Sequence, residues 1–501
     1  MSKIKIGWGE VSLLPESGKK VSLAGQFYER ITDIVESDIT ATALAVECGE
    51  EIVVFCSCDL VATSKLLLDK VRDILSKDKN FPLNKVILNA IHTHTSHVYA
   101  NRSDMAKKFG GSLGVLKKLM PNVKYEELVT YDGDDYVKPE EAYELIADKI
   151  AKAIMLAYDN RKEGGYAQGF GRATVGMCRR VVYNDGSAKM WGDVDTATFE
   201  ELEGGNDSGI ELLFTFDNDK KLTGVIANVA CPAQVLEHRS FISGDYFGKV
   251  KEYLREKYGK DVFLLGLVSP AGDQCPRDLV RWVEPESPIN DPNIIRNDVK
   301  ARKQDPSMFD ISGCKLIGRR ITNEIIYSLE SLTESDYVYD SILKHSVLNI
   351  DMPLRRVTPK EMDIAVKAIE DFYKENGDKP INYKDNAKLH VHAGIVARYE
   401  AQDKIEVVPI EVHVLRLGKV AFATNPYELF LDYGNKIRAR SIAEQTFLIQ
   451  LSCGSFGYLP TLKAERGSHY SAYVSSGTSG HEGGDLLVRK TLAEIDQLMK
   501  D

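Results

Sequence analysis

Apolar runs alternate with amphipathic stretches along most of this chain. Residues 41–46 and 52–58 are typical of buried strands, and the turn residues 49–51 between them predict a strand pair. Apolar positions at helical spacing predict a helix over 64–77, and the apolar run 86–91 predicts a further strand. This β-α-β order predicts an α/β architecture in which at least part of the sheet is parallel.

The later segments continue the pattern with one interruption. Residues 98–165 are charged and punctuated by glycine, which predicts an insert or rim that ends in a helix over 139–158. A strand-rich block at 169–232, a helix at 244–258 and a buried strand at 262–268 follow. Residues 284–309 carry four prolines and many charges, so a surface loop or lid is predicted there. A final mixed block runs from about residue 336 to the end.

Composition narrows the class of protein. The formal charge is −10, from 64 basic and 74 acidic residues, and no long basic run is present, so nucleic acid is not an expected partner. The N-terminus lacks the apolar segment of a secretory signal, and no window has the length and hydropathy of a membrane span. We therefore predict a cytoplasmic protein without membrane insertion, with eight reduced cysteines. Its oligomeric state, including a homo-oligomer, stays open.

The hexapeptide HTHTSH at 92–97 is the first place to look for chemistry. It follows a predicted buried strand, and on an extended chain His92 and His94 would have their rings on the same face. Neutral imidazole is the commonest metal ligand in proteins, and sites of open α/β sheets collect at strand ends. The alternative is that both rings simply bond backbone carbonyls and the hydroxyls of Thr93 and Thr95. The motif alone does not decide between the two.

Four later segments show the same pattern: an apolar run typical of a buried strand, followed by small residues and one reactive side chain. Each is a weak signal alone, but loops that follow strand ends tend to meet at one edge of a sheet. Together they predict a single cleft. The segments are 225–232, 267–277, 420–428 and 447–458.

The order of these motifs resembles the catalytic domain of the neutral (alkaline, non-lysosomal) ceramidase family. HTHTSH, FISGD at 241–245, AGDQCP at 271–276, NPYE at 425–428 and the Gly-Tyr pair at 457–458 follow in the family's order. GWGEVS at 7–12 and VVFCSCDLV at 53–61 resemble its opening strands. The likeness covers nearly the whole chain. It implies one α/β catalytic domain over 1–501 with mixed β-sheets flanked by helices, comprising an N-terminal part (1–335) and a C-terminal part (336–501).

The resemblance also implies a zinc site. Carried over residue by residue, the ligands fall on His92, Cys231, Glu428 and Tyr458. The family has a second histidine where this chain has Cys231, fourteen residues before the aspartate of FISGD. A thiolate is a good zinc ligand, although it leaves the ion less positive and so weaker at activating water. The alternative is that Cys231 is a small buried residue and the metal is absent or bound by other groups, such as His94 or His238.

We predict catalytic or substrate-binding roles for five further residues and give the alternatives where the sequence leaves them open. Cys275 replaces the family's catalytic serine; it is a nucleophile if its pKa is depressed, and otherwise part of the pocket wall. Asp273 is a catalytic candidate, or it orients an imidazole or caps a helix. Arg179 and Arg180 are predicted to bind substrate, with ion pairing as the simpler alternative. His469, in a glycine- and serine-rich run predicted to lie over the site, is a predicted substrate contact.

The function predicted first is zinc-dependent hydrolysis of an amide, or less favourably an ester, in a small polar compound. Tyr458 would serve as metal ligand and oxyanion donor, and His94 would transfer protons. A long-chain ceramide is not the expected substrate, because no apolar lipid-docking helix is evident. Two alternatives remain at this point: a metal-dependent lyase, isomerase or epimerase acting on a sugar or polyol, and a non-catalytic binding protein with a degenerate metal site.

Overall fold

The computed structural model describes residues 1–105, 112–125, 131–281, 310–377 and 379–500. The predicted loop or lid at 284–309 lies outside them. The strands are β1 Ser2–Ser12, β2 Val21–Ser22, β3 Ile31–Thr32, β4 Thr40–Cys48, β5 Glu51–Cys58, β6 Val86–Ala90, β7 Lys162–Arg172, β8 Met177–Cys178, β9 Arg180–Tyr183, β10 Ala188–Met190, β11 Phe199–Leu202, β12 Gly209–Asp217, β13 Leu222–Val229, β14 Phe263–Val268, β15 Gln274–Cys275, β16 Asp340–Ser341, β17 Leu343–Pro353, β18 Val407–Leu417, β19 Val420–Thr424, β20 Glu428–Leu429, β21 Gln445–Ile449 and β22 Tyr458–Leu459.

The helices surround two main sheets. They are α1 Lys65–Leu75, α2 Ser112–Leu119, α3 Pro139–Asp159, α4 Asp245–Tyr258, α5 Asp310–Glu330, α6 Pro359–Asn376, α7 Tyr383–Ala401, α8 Leu431–Arg440, α9 Leu462–Gly467 and α10 His481–Met499. Among the described residues, none of the helices has the length and apolarity needed to cross a membrane.

The larger sheet has the order β14-β13-β12-β7-β1-β4-β5-β6, with β16 added beside β1. Its outer pairs β13–β14 and β5–β6 are parallel, and the strands between them are antiparallel. The smaller sheet has the order β17-β18-β19-β21, with β19 and β21 parallel. The predicted α/β fold with mixed sheets flanked by helices is therefore confirmed.

The two faces of the larger sheet have different neighbours. Gly7 and Gly9 of β1 face α3, where an added Cβ would lie 2.1 and 2.3 Å from its carbonyl oxygens, so only glycine permits this approach. On the opposite face, Phe55 of β5 packs against Phe422 of β19, with ring centroids 5.4 Å apart. The larger sheet thus lies between helix α3 and the smaller sheet, and α10 packs against β17 and β18 of the smaller one.

A small helical unit stands apart from these layers. Helices α2, α6 and α7 contact one another around an apolar cluster of their own. The ring of Tyr383, at the start of α7, meets the ring of Tyr28 edge-on at 5.7 Å, and His390 lies 5.4 Å from Phe27. The unit therefore covers the loop around residues 25–28, which borders the cleft described below.

Candidate active site

Glu428 and Tyr458 lie side by side because their strands pair. Strands β20 and β22 run parallel with Glu428 opposite Tyr458, and the Tyr458 hydroxyl donates a hydrogen bond to the Glu428 carboxylate. Glu428 belongs to β20, and the following helix α8 begins only at Leu431. The strand pairing fixes both side chains without help from a helix terminus.

His92 reaches the same place by a turn in the backbone. Strand β6 ends at Ala90, and His92 has φ +66°, so the expectation of two histidines on one face of an extended strand is wrong. The rings of His92 and His94 are nevertheless neighbours, with centroids 4.9 Å apart. A positive φ at a non-glycine residue costs about 1–3 kcal/mol, and such strain concentrates at functional sites.

The hydrogen bonds of His92 determine which ring nitrogen is protonated. Nδ1 lies 2.7 Å from the carbonyl oxygen of Val61, which can only accept, so Nδ1 carries the proton. In a neutral ring the lone pair is then on Nε2, which lies 3.6 Å from Oε2 of Glu428. Two acceptors facing each other repel unless a cation or a proton lies between them. Ligand atoms bound to one tetrahedral zinc ion at about 2.1 Å are about 3.4 Å apart, so the spacing fits a metal.

A second cluster adjoins the first. Nδ1 of His94 lies 3.4 Å from Oε2 of Glu237, and Nε2 of His238 lies 3.2 Å from the other oxygen of that carboxylate. The two imidazoles and Arg277 hold the pKa of Glu237 far below its usual range despite its burial. Burial and the neighbouring His92 lower the pKa of His94, so its ring is neutral and able to accept a proton.

Gly25 makes room for His94. Its φ is +93°, and a Cβ added there would lie 2.3 Å from Cγ of the His94 ring. Any other residue would therefore be strained in its backbone and would displace the imidazole. The loop around residues 25–28 thus fixes the position of His94.

Arg179 links the wall of the cleft to Tyr458. Its Nη2 donates to the carbonyl oxygen of Gly272 at 2.9 Å and to the Tyr458 hydroxyl at 3.3 Å. The guanidinium is almost completely buried, and the neighbouring Tyr458 and Glu428 raise its pKa against the effect of burial. Arg179, Tyr458 and Glu428 therefore form one chain of donors that ends on the carboxylate.

Two cavities meet at these residues. The first chamber, of about 270 Å³, is lined by His94, Glu237, His238, Arg179 and Tyr458, with Trp191, Arg277, His469 and Tyr470 among its other walls. The second chamber, of about 450 Å³, is lined by His92 and Glu428 and also by Tyr136, Arg102 and Asn386. Both include residues 25–28 and Tyr470 in their walls. The predicted convergence of strand-end loops is observed for HTHTSH and the segments 267–277, 420–428 and 447–458, whereas 225–232 contributes no residue to either chamber.

The structure separates the two arginines predicted to bind substrate. Arg179 lines the first chamber, whereas Arg180 is fully buried and binds Glu203 through Nε and Nη2 at 2.6 and 3.0 Å. Arg180 also donates to the carbonyl oxygens of Ser468 and Tyr470 at 2.7 and 2.8 Å. These contacts agree with the alternative predicted for Arg180, which is ion pairing. Through them Arg180 supports the loop that carries Tyr470 toward the cleft.

His469 lies on that same loop and in the lining of the first chamber. Its Nδ1 accepts a hydrogen bond from the backbone N–H of Met190 at 3.1 Å, and its φ is +74°. Its predicted substrate contact is compatible with this position and remains a prediction.

The two cysteines that depart from the family pattern are buried thiols. Cys231 donates to the carbonyl oxygen of Pro232 at 3.5 Å, and Cys275 donates to that of Arg277 at 3.3 Å. Burial raises the pKa of Cys275 to about 12 and that of Cys231 well above its usual value. Neither residue lines the described chambers. A metal would be needed to make Cys231 a thiolate, and the nucleophilic role of Cys275 is disfavoured by its pKa.

Asp273 supports the cleft from behind. Its Oδ1 accepts from the N–H of Leu431, the first residue of α8, at 2.9 Å, and burial raises its pKa to about 6. Its backbone carbonyl accepts from the N–H of Arg179 at 2.9 Å. This is the helix-capping alternative, and a direct catalytic role for Asp273 remains a prediction.

Another group of metal-ligating side chains lies in the smaller sheet. Among the described residues, one ligand atom each from Glu411, His413 and Cys453 lie within 4.8 Å of one another. However, Arg72 donates to both oxygens of the Glu411 carboxylate, at 2.6 and 3.0 Å, and His413 Nε2 lies 2.9 Å from it. The guanidinium thus supplies the positive charge that a metal would bring. We therefore assign the zinc prediction to His92 and Glu428.

Sequence reasoning missed Glu237 and the aromatic wall. Glu237 lies in the loop between β13 and α4, next to His238, and only the carboxylate–imidazole pair itself could have signalled it. Trp191 and Tyr470 come from separate segments that the fold brings to the first chamber. No period or motif in the sequence marks these two residues.

The sequence matches no protein-family model and no curated protein. The fold, in contrast, is that of solved ceramidases. The structure of neutral ceramidase from Pseudomonas aeruginosa superposes with a TM-score of 0.66 at 16% identity, covering 100% of this chain and 76% of that one. A ceramidase complexed with C2 gives a TM-score of 0.64 at 16% identity, covering 99% and 76%. At this identity the likeness establishes the fold, which agrees with the resemblance noted in the motifs.

Proposed function

We propose that this protein is a zinc-dependent hydrolase that cleaves an amide bond in a small polar compound. The observation that carries the proposal is the pair of facing acceptors, His92 Nε2 and Glu428 Oε2, at 3.6 Å. A cation between them relieves the repulsion, and Tyr458 lies beside Glu428 as a third candidate ligand. A bound zinc ion supplies Lewis acidity toward a carbonyl and toward water.

The remaining residues supply proton transfer and orientation. Neutral His94, with Glu237 at its Nδ1, is placed to carry its proton on that nitrogen and to accept another on Nε2. Arg179 donates to the Tyr458 oxygen, which favours negative charge there. The similarity in fold to ceramidases supports amide cleavage as the reaction class. The charged side chains of Arg179, Glu237 and Arg277 in the lining of the first chamber support a small substrate with polar groups.

Several sequence predictions stand beside this proposal. Cys231 completes the zinc ligand set only if its thiol moves or ionises on metal binding, so its ligand role stays a prediction. Cys275 is proposed as a buried structural thiol behind the site, without a nucleophilic role. The cytoplasmic location and the oligomeric state also remain predictions.

The test is product analysis by mass spectrometry. Purified protein containing zinc is incubated with a panel of N-acyl amino acids and N-acyl amino sugars. Hydrolysis yields two products whose summed mass exceeds the substrate by one water, and His92→Ala abolishes it. A product of unchanged mass supports the isomerase alternative, and binding without any product supports the binding-protein alternative.

A further inference from the structure

The second chamber contains an arginine, Arg102, that forms no ion pair with the described residues. Arg102 lines this chamber together with His92 and Glu428. Its Nη1 atom is buried, and the described residues provide no hydrogen-bond acceptor for it. Two other buried arginines near the cleft have acceptors in the protein: Arg180 donates to Glu203 and backbone carbonyls, and Nη2 of Arg179 donates to Gly272 and Tyr458. Nε of Arg179 is also buried without an acceptor among the described residues.

A buried guanidinium nitrogen without an acceptor is costly. Arginine presents five donors in a planar fork, and leaving a charged donor unpaired away from water costs more than leaving a neutral one. Burial lowers the pKa of Arg102, and only the Tyr99 hydroxyl opposes that effect. The Tyr99 hydroxyl itself donates to the carbonyl oxygen of Ala62 at 2.8 Å, so it does not neutralise the charge. The chamber therefore favours a ligand that brings negative charge to Arg102.

A second polar atom without a partner belongs to the lining of the same chamber. Oδ1 of Asn386, on α7 of the helical unit, is buried without a hydrogen-bond donor among the described residues, and Asn386 also lines this chamber. An unpaired cationic donor and an unpaired neutral acceptor in one cavity match a ligand that has an oxyanion and a nearby N–H or O–H group.

We propose that Arg102 forms an oxyanion subsite in the second chamber, and that the substrate carries a carboxylate or phosphate group on the side that enters this chamber. The His92–Glu428 pair on the wall of the same cavity would then face the bond to be cleaved. The assignment of this anion to the substrate rests on the proposed hydrolase function, whereas the anion subsite itself does not. In this reading the protein cleaves amides of acidic compounds.

The test is calorimetric titration of the full-length protein with two probes, glutarate and inorganic phosphate. Wild type is expected to bind at least one of them, and the preferred probe distinguishes a carboxylate from a phosphate ligand. Arg102→Gln is expected to weaken binding at least tenfold, because charge-assisted hydrogen bonds are lost. Arg102→Lys keeps the charge without the fork and is expected to bind with intermediate affinity.

Arg356→Gln is the matched control. Arg356 is exposed and forms an ion pair with Asp403 on the surface, so this variant removes the same charge away from the cleft. It is expected to bind the probes like wild type. The proposal is overturned if wild type binds neither probe, or if Arg102→Gln binds as tightly as wild type. If Arg102→Gln does not fold, the other two variants decide. Unchanged affinity in Arg102→Lys together with a loss of affinity in Arg356→Gln would then overturn the proposal.

The titration is independent of catalysis. If the probes bind through Arg102 but no amide is cleaved, the hydrolase proposal fails and the anion subsite stands. If amides are cleaved equally well with and without an anionic group, and neither probe binds, the subsite fails and the hydrolase proposal stands.

Discussion

Replacing Arg180 with methionine removes the charged centre beneath the loop that carries His469 and Tyr470. Arg180 and Glu203 have side-chain exposures of 0% and 5%, so the variant leaves a buried carboxylate unpaired. It also removes the donors to the carbonyl oxygens of Ser468 and Tyr470. Breaking a buried pair by removing one partner costs about 3–5 kcal/mol.

The lost free energy is expected to make the loop around His469 and Tyr470 open more often. At 1.36 kcal/mol per factor of ten, about 3–5 kcal/mol raises the opening equilibrium of the loop by about two to nearly four orders of magnitude. Hydrogen exchange followed by mass spectrometry is the assay, and amide protection over residues 464–478 is expected to fall by at least about a hundredfold. Arg172→Met, at an exposed arginine beside Phe170, is the control and is expected to leave that protection unchanged. Unchanged protection in Arg180→Met, with weaker substrate binding, would refute the supporting role and return Arg180 to the substrate.

Three further predictions concern the histidines and the metal. Burial lowers the pKa of His97 to about 4 from 6.5, so the unfolded chain takes up the proton first and the free energy of unfolding falls as the pH drops from about 6.5 to about 4, by up to about 3 kcal/mol. His97→Leu should gain on wild type over that window in denaturant unfolding, and a difference independent of pH would contradict this. Gly25→Ala should abolish amide cleavage while far-UV circular dichroism is unchanged, because its Cβ displaces the His94 ring; full activity would show that the ring position is unimportant. Cys453→Ser should retain zinc measured by mass spectrometry, because Arg72 already neutralises the neighbouring Glu411; loss of zinc would move the metal to the smaller sheet.

Helices and strands were predictable from the sequence where one buried face makes apolar residues recur at a regular spacing. The helix predicted over 64–77 is observed at Lys65–Leu75, with Ser64 accepting from the N–H of Leu67 as its N-cap. The helix predicted over 244–258 is observed at Asp245–Tyr258. These segments have one buried face each, so their apolar spacing records their structure directly.

The site was only partly predictable, since it depends on which strand ends meet. The pairing of Glu428 with Tyr458 joins two short strands that no local pattern marks, and the family resemblance alone suggested it. Glu237 lacks any periodic signal. Arg180 could not be told from Arg179 in the sequence, because its partner Glu203 is identified only by the fold.

The most direct test of the account is the zinc content of two matched variants, Glu428→Gln and Glu411→Gln, purified without chelator beside wild type. Each variant removes one carboxylate charge, the first beside His92 and the second in the Glu411–His413–Cys453 group. About one equivalent of zinc is expected in wild type and in Glu411→Gln, and its loss is expected in Glu428→Gln. Stoichiometric zinc retained in Glu428→Gln, or zinc lost only in Glu411→Gln, would contradict the assignment of the metal to the His92–Glu428 pair.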